Sequence, residues 1–251
     1  MGLEQFRLDD QVAMVTGTRQ GIGQGLAVAL AEAGAAIVAV DRHEPAETRA
    51  AVTALGRRFV WLECDLAELH AASAAALIER AVQQAGRLDI LVNNAGITRR
   101  AGVLDLTEDD WDVVLQVNLK AAFLLAQAAA RHFVAQKRGK IINIASMLSF
   151  QGGIRVPSYA AAKSGIAGVT RAMANELAVH GVNVNAIAPG YILTAHTQML
   201  HDDPSRNPGI LARIPAGHWG SPRDLGGAAI FLASAASDYC HGVILNVDGG
   251  W

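Results

Sequence analysis

Short runs of β-branched and other apolar residues recur along this chain, each followed by a longer, mostly alanine-rich stretch, and nothing else in the sequence restricts the fold so tightly. The runs are QVAMVT (11–16), AAIVAV (35–40), RFVWLE (58–63), LDILVN (88–93), KIINIA (140–145), VNVNAIA (182–188) and VILNV (243–247). Near-continuous apolar residues, rather than alternating ones, indicate strands covered on both faces. Between them, 22–33, 66–85, 108–136, 158–180 and 222–235 read as helices. Strand and helix in alternation predict an α/β fold: a doubly wound, seven-stranded parallel sheet ordered 3-2-1-4-5-6-7, with helices on both faces. Thr107 and the acidic residues after it start one helix, and Gly139 and Gly181 stand where helices should stop.

At 251 residues, 51% of them hydrophobic, the chain has enough apolar surface for one large core, and no linker-like stretch divides it. A single domain over 1–251 is expected. Its one long irregular stretch, 189–222, predicts a substrate lid at about 190–220, because long loops inside compact domains usually serve function.

Charge and composition then remove whole classes of function. Lys plus Arg number 21 against 23 Asp plus Glu, a net charge of -2, so no basic surface favours nucleic acid or anionic lipid. Two widely separated cysteines, without CxxC, suit the reducing cytoplasm. The charged start MGLEQFRLDDQ lacks a secretory apolar core, and the apolar runs are interrupted before the ~20 residues of a membrane span. Eight histidines include neither an HExxH motif nor an i, i+4 pair, so no metal site is expected. What remains is a small, nearly neutral ligand.

The turn after the first strand, TGTRQGIG (16–23), places Gly17, Gly21 and Gly23 between a strand and a helix. Glycines there let the backbone turn tightly and approach a pyrophosphate, which the helix N-terminus stabilises, so Arg19, Gln20 and Ile22 share the same surface. Asp41 ends the second strand, where a carboxylate accepts hydrogen bonds from an adenosine ribose and repels a 2′-phosphate. NAD is therefore expected over NADP, although Arg19 and Arg42 could each reach a phosphate. Asp65 and Leu66, after the third strand, form a ledge for adenine. The turn NNAG (93–96) brings Asn93, Ala95 and Gly96 to the same crevice, because strands one and four flank the switch point.

Within the apolar stretch SYAAAKSG (158–165), Tyr159 and Lys163 stand at i and i+4, on one helix face. Together TGTRQGIG, NNAG, Asn118, Ser146 and YAAAK resemble the short-chain dehydrogenases/reductases, in motif order and over essentially the whole chain. The resemblance implies Tyr159 as general acid/base, Lys163 as its electrostatic partner and ribose ligand, Ser146 as the hydroxyl that polarises a carbonyl, and Asn118 as anchor of a relay water. It further implies that Pro189, Gly190, Ile192 and Thr194 clamp the nicotinamide, and that the chain forms a homotetramer. Charge arithmetic is compatible: a phenol acting near pH 7 needs ~3 units of depression, or ~4 kcal/mol. A cation at ~4 Å in an effective dielectric of ~20 supplies a similar amount.

Three further stretches, MLSFQGGIRVP (147–157), GITRR (96–100) and RIPAGHWG (213–220), resemble family members that act on keto sugar acids of the 2-deoxy-D-gluconate or 2-dehydro-3-deoxy-D-gluconate type. Such a substrate needs a cation for its carboxylate, and a guanidinium fork suits it. Arg155 is the first candidate, with Arg99 and Arg100 behind it, while Gln151 and His196 suit hydroxyls; Ser146 and Tyr159 also face the substrate. Two alternatives stand beside this reading. One is a reductase of 3-oxoacyl thioesters, which implies NADPH and an apolar channel; the other is a non-catalytic NAD(P)-sensing protein, which would not need Tyr159 and Lys163.

Overall fold

The computed structural model describes residues 2–251. Seven parallel strands form one sheet in the order β3-β2-β1-β4-β5-β6-β7. They are β1 (Val12–Thr16), β2 (Ala36–Asp41), β3 (Phe59–Glu63), β4 (Ile90–Asn93), β5 (Gly139–Ile144), β6 (Val182–Pro189) and β7 (Ile244–Val247). Central strands β1, β4, β5 and β6 are buried at every position, whereas edge strands β3 and β7 are mostly part-exposed. Successive side chains point to opposite faces and fill two cores. Met14, Leu91, Ile141 and Val184 meet helices α3 (Ala71–Ala85) and α5 (Ala121–Ala135) on one side. Val15, Ile90, Ile142 and Ile187 meet α1 (Gly21–Glu32) and α9 (Gly226–Ala233) on the other.

Four boundaries differ from the sequence reading. Helix α2 (Ala46–Ala54) fills 46–54, a short polar segment whose only fully buried side chains are Thr48 and Val52. The stretch 66–85 is helical only from Ala71; Asp65 accepts from the Ala67 amide, and His70 with Ser73 forms the cap. The 108–136 helix is three pieces: α4 (Glu108–Leu115), a π-helical turn over Gln116–Lys120, and α5. Gly139 does not stop α5. Lys137 takes the left-handed conformation (φ 55°), and Gly139 opens β5 against the Phe133 ring, which a Cβ would meet at 2.2 Å. Gly181 does adopt the left-handed stop (φ 75°), and Thr107 does cap α4.

The run Glu108–Ala135 is long and apolar enough on its own to cross a membrane, yet half of its most apolar window is buried inside the molecule. That is the signature of a core helix packed on a sheet. The 190–220 segment, expected from sequence to be a lid, contains two short helices, α7 (Gln198–His201) and α8 (Asn207–Leu211). Its base is closed just beyond the sheet, where Ile192 pairs with Gly220 before the chain runs on into α9.

Candidate active site

Parallel strands bring Thr16, Asp41, Asn93, Ile144 and Pro189 to one edge of the sheet, and the candidate site residues gather there. The crevice between β1 and β4 is held by hydrogen bonds that the motifs alone did not reveal. Thr16 Oγ1 accepts from the Asn94 and Ala95 amides, at 3.0 Å each. Asn94 Nδ2 donates back to the carbonyls of Thr16 and Gly17. Gly17 (φ 71°) and Gly21 (φ 62°) have left-handed backbones, and a Cβ on Gly23 would lie 2.0 Å from the Gly17 carbonyl oxygen. No larger residue fits that turn.

The crevice suits a dinucleotide. Gln20, the N-cap of α1, makes no side-chain cap, so the first-turn amides keep the donors a pyrophosphate needs. The Thr18 hydroxyl is buried without a partner. Asp41 accepts from the amides of Arg19 (3.0 Å) and Arg42 (2.8 Å), which fixes its carboxylate at the end of β2 with lone pairs to spare. The Arg42 guanidinium lies 3.9 Å from Asp65. Leu66 is buried beside them. Gly190 lies against β7, where a Cβ would meet Asp248 Cα at 2.6 Å, and the Thr194 methyl faces Gly21. Ile192, by contrast, is buried in the core with β5 and β6. Asn93 turns its amide inward, its Nδ2 donating at 3.0 Å to the Ala122 carbonyl and to Asn143 Oδ1, while its Oδ1 is buried without a partner among the described residues.

Asn143 in turn donates to Thr170 Oγ1, and Thr170 to the Ile166 carbonyl. This fully buried chain ties β4 and β5 to α5 and to α6 (Pro157–Leu177), the helix that carries Tyr159 and Lys163. Sequence reading missed it because Asn143 sits inside an apolar strand with no motif around it.

The π-helical turn sets Asn118 at the site. Its amide closes on the backbone of Ile97, accepting from N–H and donating to C=O, both at 2.8 Å. Both side-chain groups are thereby engaged in pinning the loop after NNAG. Ser146 follows β5; its hydroxyl accepts from the Leu148 amide at 3.1 Å, and it favours the ionised form of the Tyr159 phenol.

Lys163 faces the Tyr159 ring, as the i, i+4 spacing anticipates, and is also tied to the end of β5. Its Nζ donates to the Ile144 carbonyl at 2.5 Å and stands 5.6 Å from the centre of the Tyr159 ring. Burial pushes the phenol up rather than down, opposed by the Ser146 hydroxyl and by the charge of Arg100. Burial also lowers the Lys163 ammonium to about 8. Burial of the phenol thus opposes the depression that the charge arithmetic allows for, while the hydrogen bond to Ile144 leaves the ammonium's charge in place.

The candidate substrate residues scatter around the mouth. Arg99 is engaged with Asp110 at 3.2 Å. Arg155 has a left-handed backbone (φ 63°), and its carbonyl accepts from the Ala101 amide, joining the 97–106 and 150–156 loops. Its side chain, like that of His196, is exposed. Gln151, also exposed, accepts from Arg213 of the 190–220 segment at 3.5 Å. Arg100, ranked behind Arg155 from sequence, adds a charge that favours the ionised Tyr159. Among the described residues no group of His, Cys, Asp or Glu could hold a metal ion.

Comparison with known proteins supplies the remaining context. The family model described as Enoyl-(Acyl carrier protein) reductase matches residues 17–251. The 2-dehydro-3-deoxy-D-gluconate 5-dehydrogenase of Escherichia coli (strain K12) is 58% identical, across 100% of this chain and 99% of its own. A crystal structure from Agrobacterium tumefaciens with bound NADP shares 52% identity over 98% of both chains, with a TM-score of 0.90. The gluconate 5-dehydrogenase of Burkholderia cenocepacia J2315, in complex with NADP and tartrate, shares 43% identity over 99% of this chain and 97% of its own, with a TM-score of 0.92.

Proposed function

The chain belongs to the short-chain dehydrogenase/reductase family, and from that premise we propose that it moves hydride between a nicotinamide dinucleotide and a keto or hydroxy sugar acid. The substrate is of the 2-dehydro-3-deoxy-D-gluconate or 2-deoxy-D-gluconate type. The observation that carries the reading is the meeting of Ser146, Tyr159 and Lys163 at the carboxyl edge of the sheet, beside a glycine turn whose helix N-terminus has no side-chain cap. The relative's name supports the substrate class, as does the set of cations around the mouth.

When bound, the nicotinamide supplies or accepts the hydride. The chain's residues do the rest. Ser146 donates a hydrogen bond to the substrate oxygen, which bears more negative charge as the carbonyl is reduced. Tyr159 gives its proton to that oxygen in reduction and takes it back in oxidation. Arg100 favours the ionised phenol, which oxidation requires. Lys163, anchored on Ile144, faces the phenol ring and reaches the ribose region, while Asn118 positions the loop that walls the cleft.

We take NAD as the preferred dinucleotide on the strength of the Asp41 carboxylate, held by two backbone amides at the ribose position, with Arg42 drawn toward Asp65. NADP in the related structures weighs the other way. An apolar groove between α5 and α6, lined by Phe123, Val134, Val169 and Met173, supports assembly into an oligomer. A panel of keto sugar acids and neutral ketones, assayed with NADH and NADPH side by side, tests the reading. Turnover confined to neutral ketones, or a strong NADPH preference, would remove its substrate or cofactor half respectively.

A further inference from the structure

The lid carries an arginine, Arg213, that opens the RIPAGHWG stretch and to which the sequence reading assigns no role of its own. The segment leaves β6 over the glycine turn, where Thr194 touches Gly21, and its far part reaches the loop between Ser146 and Tyr159, where Arg213 Nη2 lies 3.5 Å from Gln151 Oε1. The lid therefore spans the cleft from the dinucleotide end to the catalytic loop, with Arg213 at its far rim.

Arg213 is held in place without being neutralised. Its guanidinium carbon lies 3.8 Å from the centre of the Trp251 ring, a stacked geometry that fixes the plane of the fork while leaving its N–H edges open. Trp251 is itself fixed by Tyr191, at 4.8 Å between ring centres, and Tyr191 by Trp219, also at 4.8 Å. Trp219 donates to Asn207 Oδ1 at 2.9 Å. Among the described residues no carboxylate pairs with Arg213, whereas Arg99 is engaged with Asp110. The Arg155 guanidinium has neither a stacking partner nor a hydrogen bond among the described residues to orient it. An oriented, exposed, unpaired guanidinium beside a neutral amide is what bidentate recognition of a carboxylate requires.

We propose that Arg213, stacked on Trp251 and flanked by Gln151, is the specificity-determining residue that binds the carboxylate of the acid substrate. The inference rests on the sugar-acid reading above, and it moves the carboxylate role from Arg155 on the catalytic loop to the lid. A substrate whose reacting carbon sits at Ser146 and Tyr159 then lies along the 147–156 loop, with its charged end toward Gln151.

The test compares the full-length wild type with Arg213→Gln and Arg213→Lys, using 2-dehydro-3-deoxy-D-gluconate and its uncharged carboxamide with saturating dinucleotide. For Arg213→Gln the expected result is a KM for the acid raised about 10- to 100-fold, kcat within about threefold of wild type, and kcat/KM for the carboxamide within about twofold. Arg213→Lys, which keeps the charge and loses the fork, should recover part of the loss. Unchanged dinucleotide affinity and thermal midpoint show that the variants are folded. Equal losses on acid and carboxamide would make Arg213 a lid support only, and an unchanged KM for the acid would place the carboxylate elsewhere; either overturns the proposal. If the wild type itself fails to prefer the acid, the sugar-acid reading falls and the proposal with it, a failure visible before any variant is made.

Discussion

Replacing Lys163 by methionine probes the energetics of the site, and a Tyr159→Phe background keeps phenol titration out of the measurement. Lys163 is 4% exposed, and among the described residues its ammonium has one hydrogen-bond partner, the Ile144 carbonyl, and no carboxylate. Burial without a counter-charge lowers its pKa from 10.5 to about 8, which corresponds to about 3 kcal/mol of destabilisation while the group is charged in both states. The sign follows from proton binding. Below pH 8 the full cost is present; between about 8 and 10.5 the unfolded chain binds more protons than the folded one, so stability rises with pH through that window. From pH 7 to pH 9.5 the lysine form should gain about 2 kcal/mol relative to the methionine form. Methionine fills similar space without charge, so the variant should be the more stable at neutral pH, with the gap closing as pH rises. Urea unfolding of both proteins at pH 7, 8 and 9.5, at one protein concentration, measures this. Parallel stability profiles would refute the argument, because they would mean that Lys163 keeps its ordinary titration in the folded protein.

Other outcomes follow from the same geometry. Tyr159→Phe should lower turnover by about 10²- to 10⁴-fold while dinucleotide affinity, read by fluorescence, stays unchanged; persistent turnover would take the proton-transfer role away from the phenol. Arg100 holds the phenol below where burial alone would leave it, so Arg100→Leu should move the rising limb of the oxidation pH profile to higher pH, and Arg100→Lys should restore it. An unmoved limb in the leucine variant would show that this charge does not reach the reacting proton. Asn143→Leu leaves Asn93 and Thr170 without their shared partner inside the core and should cost about 2 to 4 kcal/mol, read as a lower urea midpoint.

The alternation of apolar runs with alanine-rich stretches was sufficient to predict a parallel sheet, because strands covered on both faces read as near-continuous apolar runs; its order followed from the doubly wound pattern. The glycine turn was legible for a similar reason: a Cβ on Gly23 has no room, and steric necessity of that kind appears in sequence as glycine. The spacing of Tyr159 and Lys163 correctly placed both on one face of α6. Where the ammonium points was another matter, since Ile144 lies on a different element and its carbonyl becomes a competitor only once β5 packs against α6. The pairing of Asn118 with Ile97, the Asn93–Asn143–Thr170 chain and the stacking of Arg213 on Trp251 were likewise invisible in sequence. Each joins residues from separate elements, and hydrogen bonds or stacking between distant positions leave no periodic trace. Residue type and local spacing thus determined the sheet, the turns and the inventory of reactive groups. Only tertiary packing decided which of those groups face one another and which charges stay unpaired, because desolvation and partner geometry come into being when the elements meet.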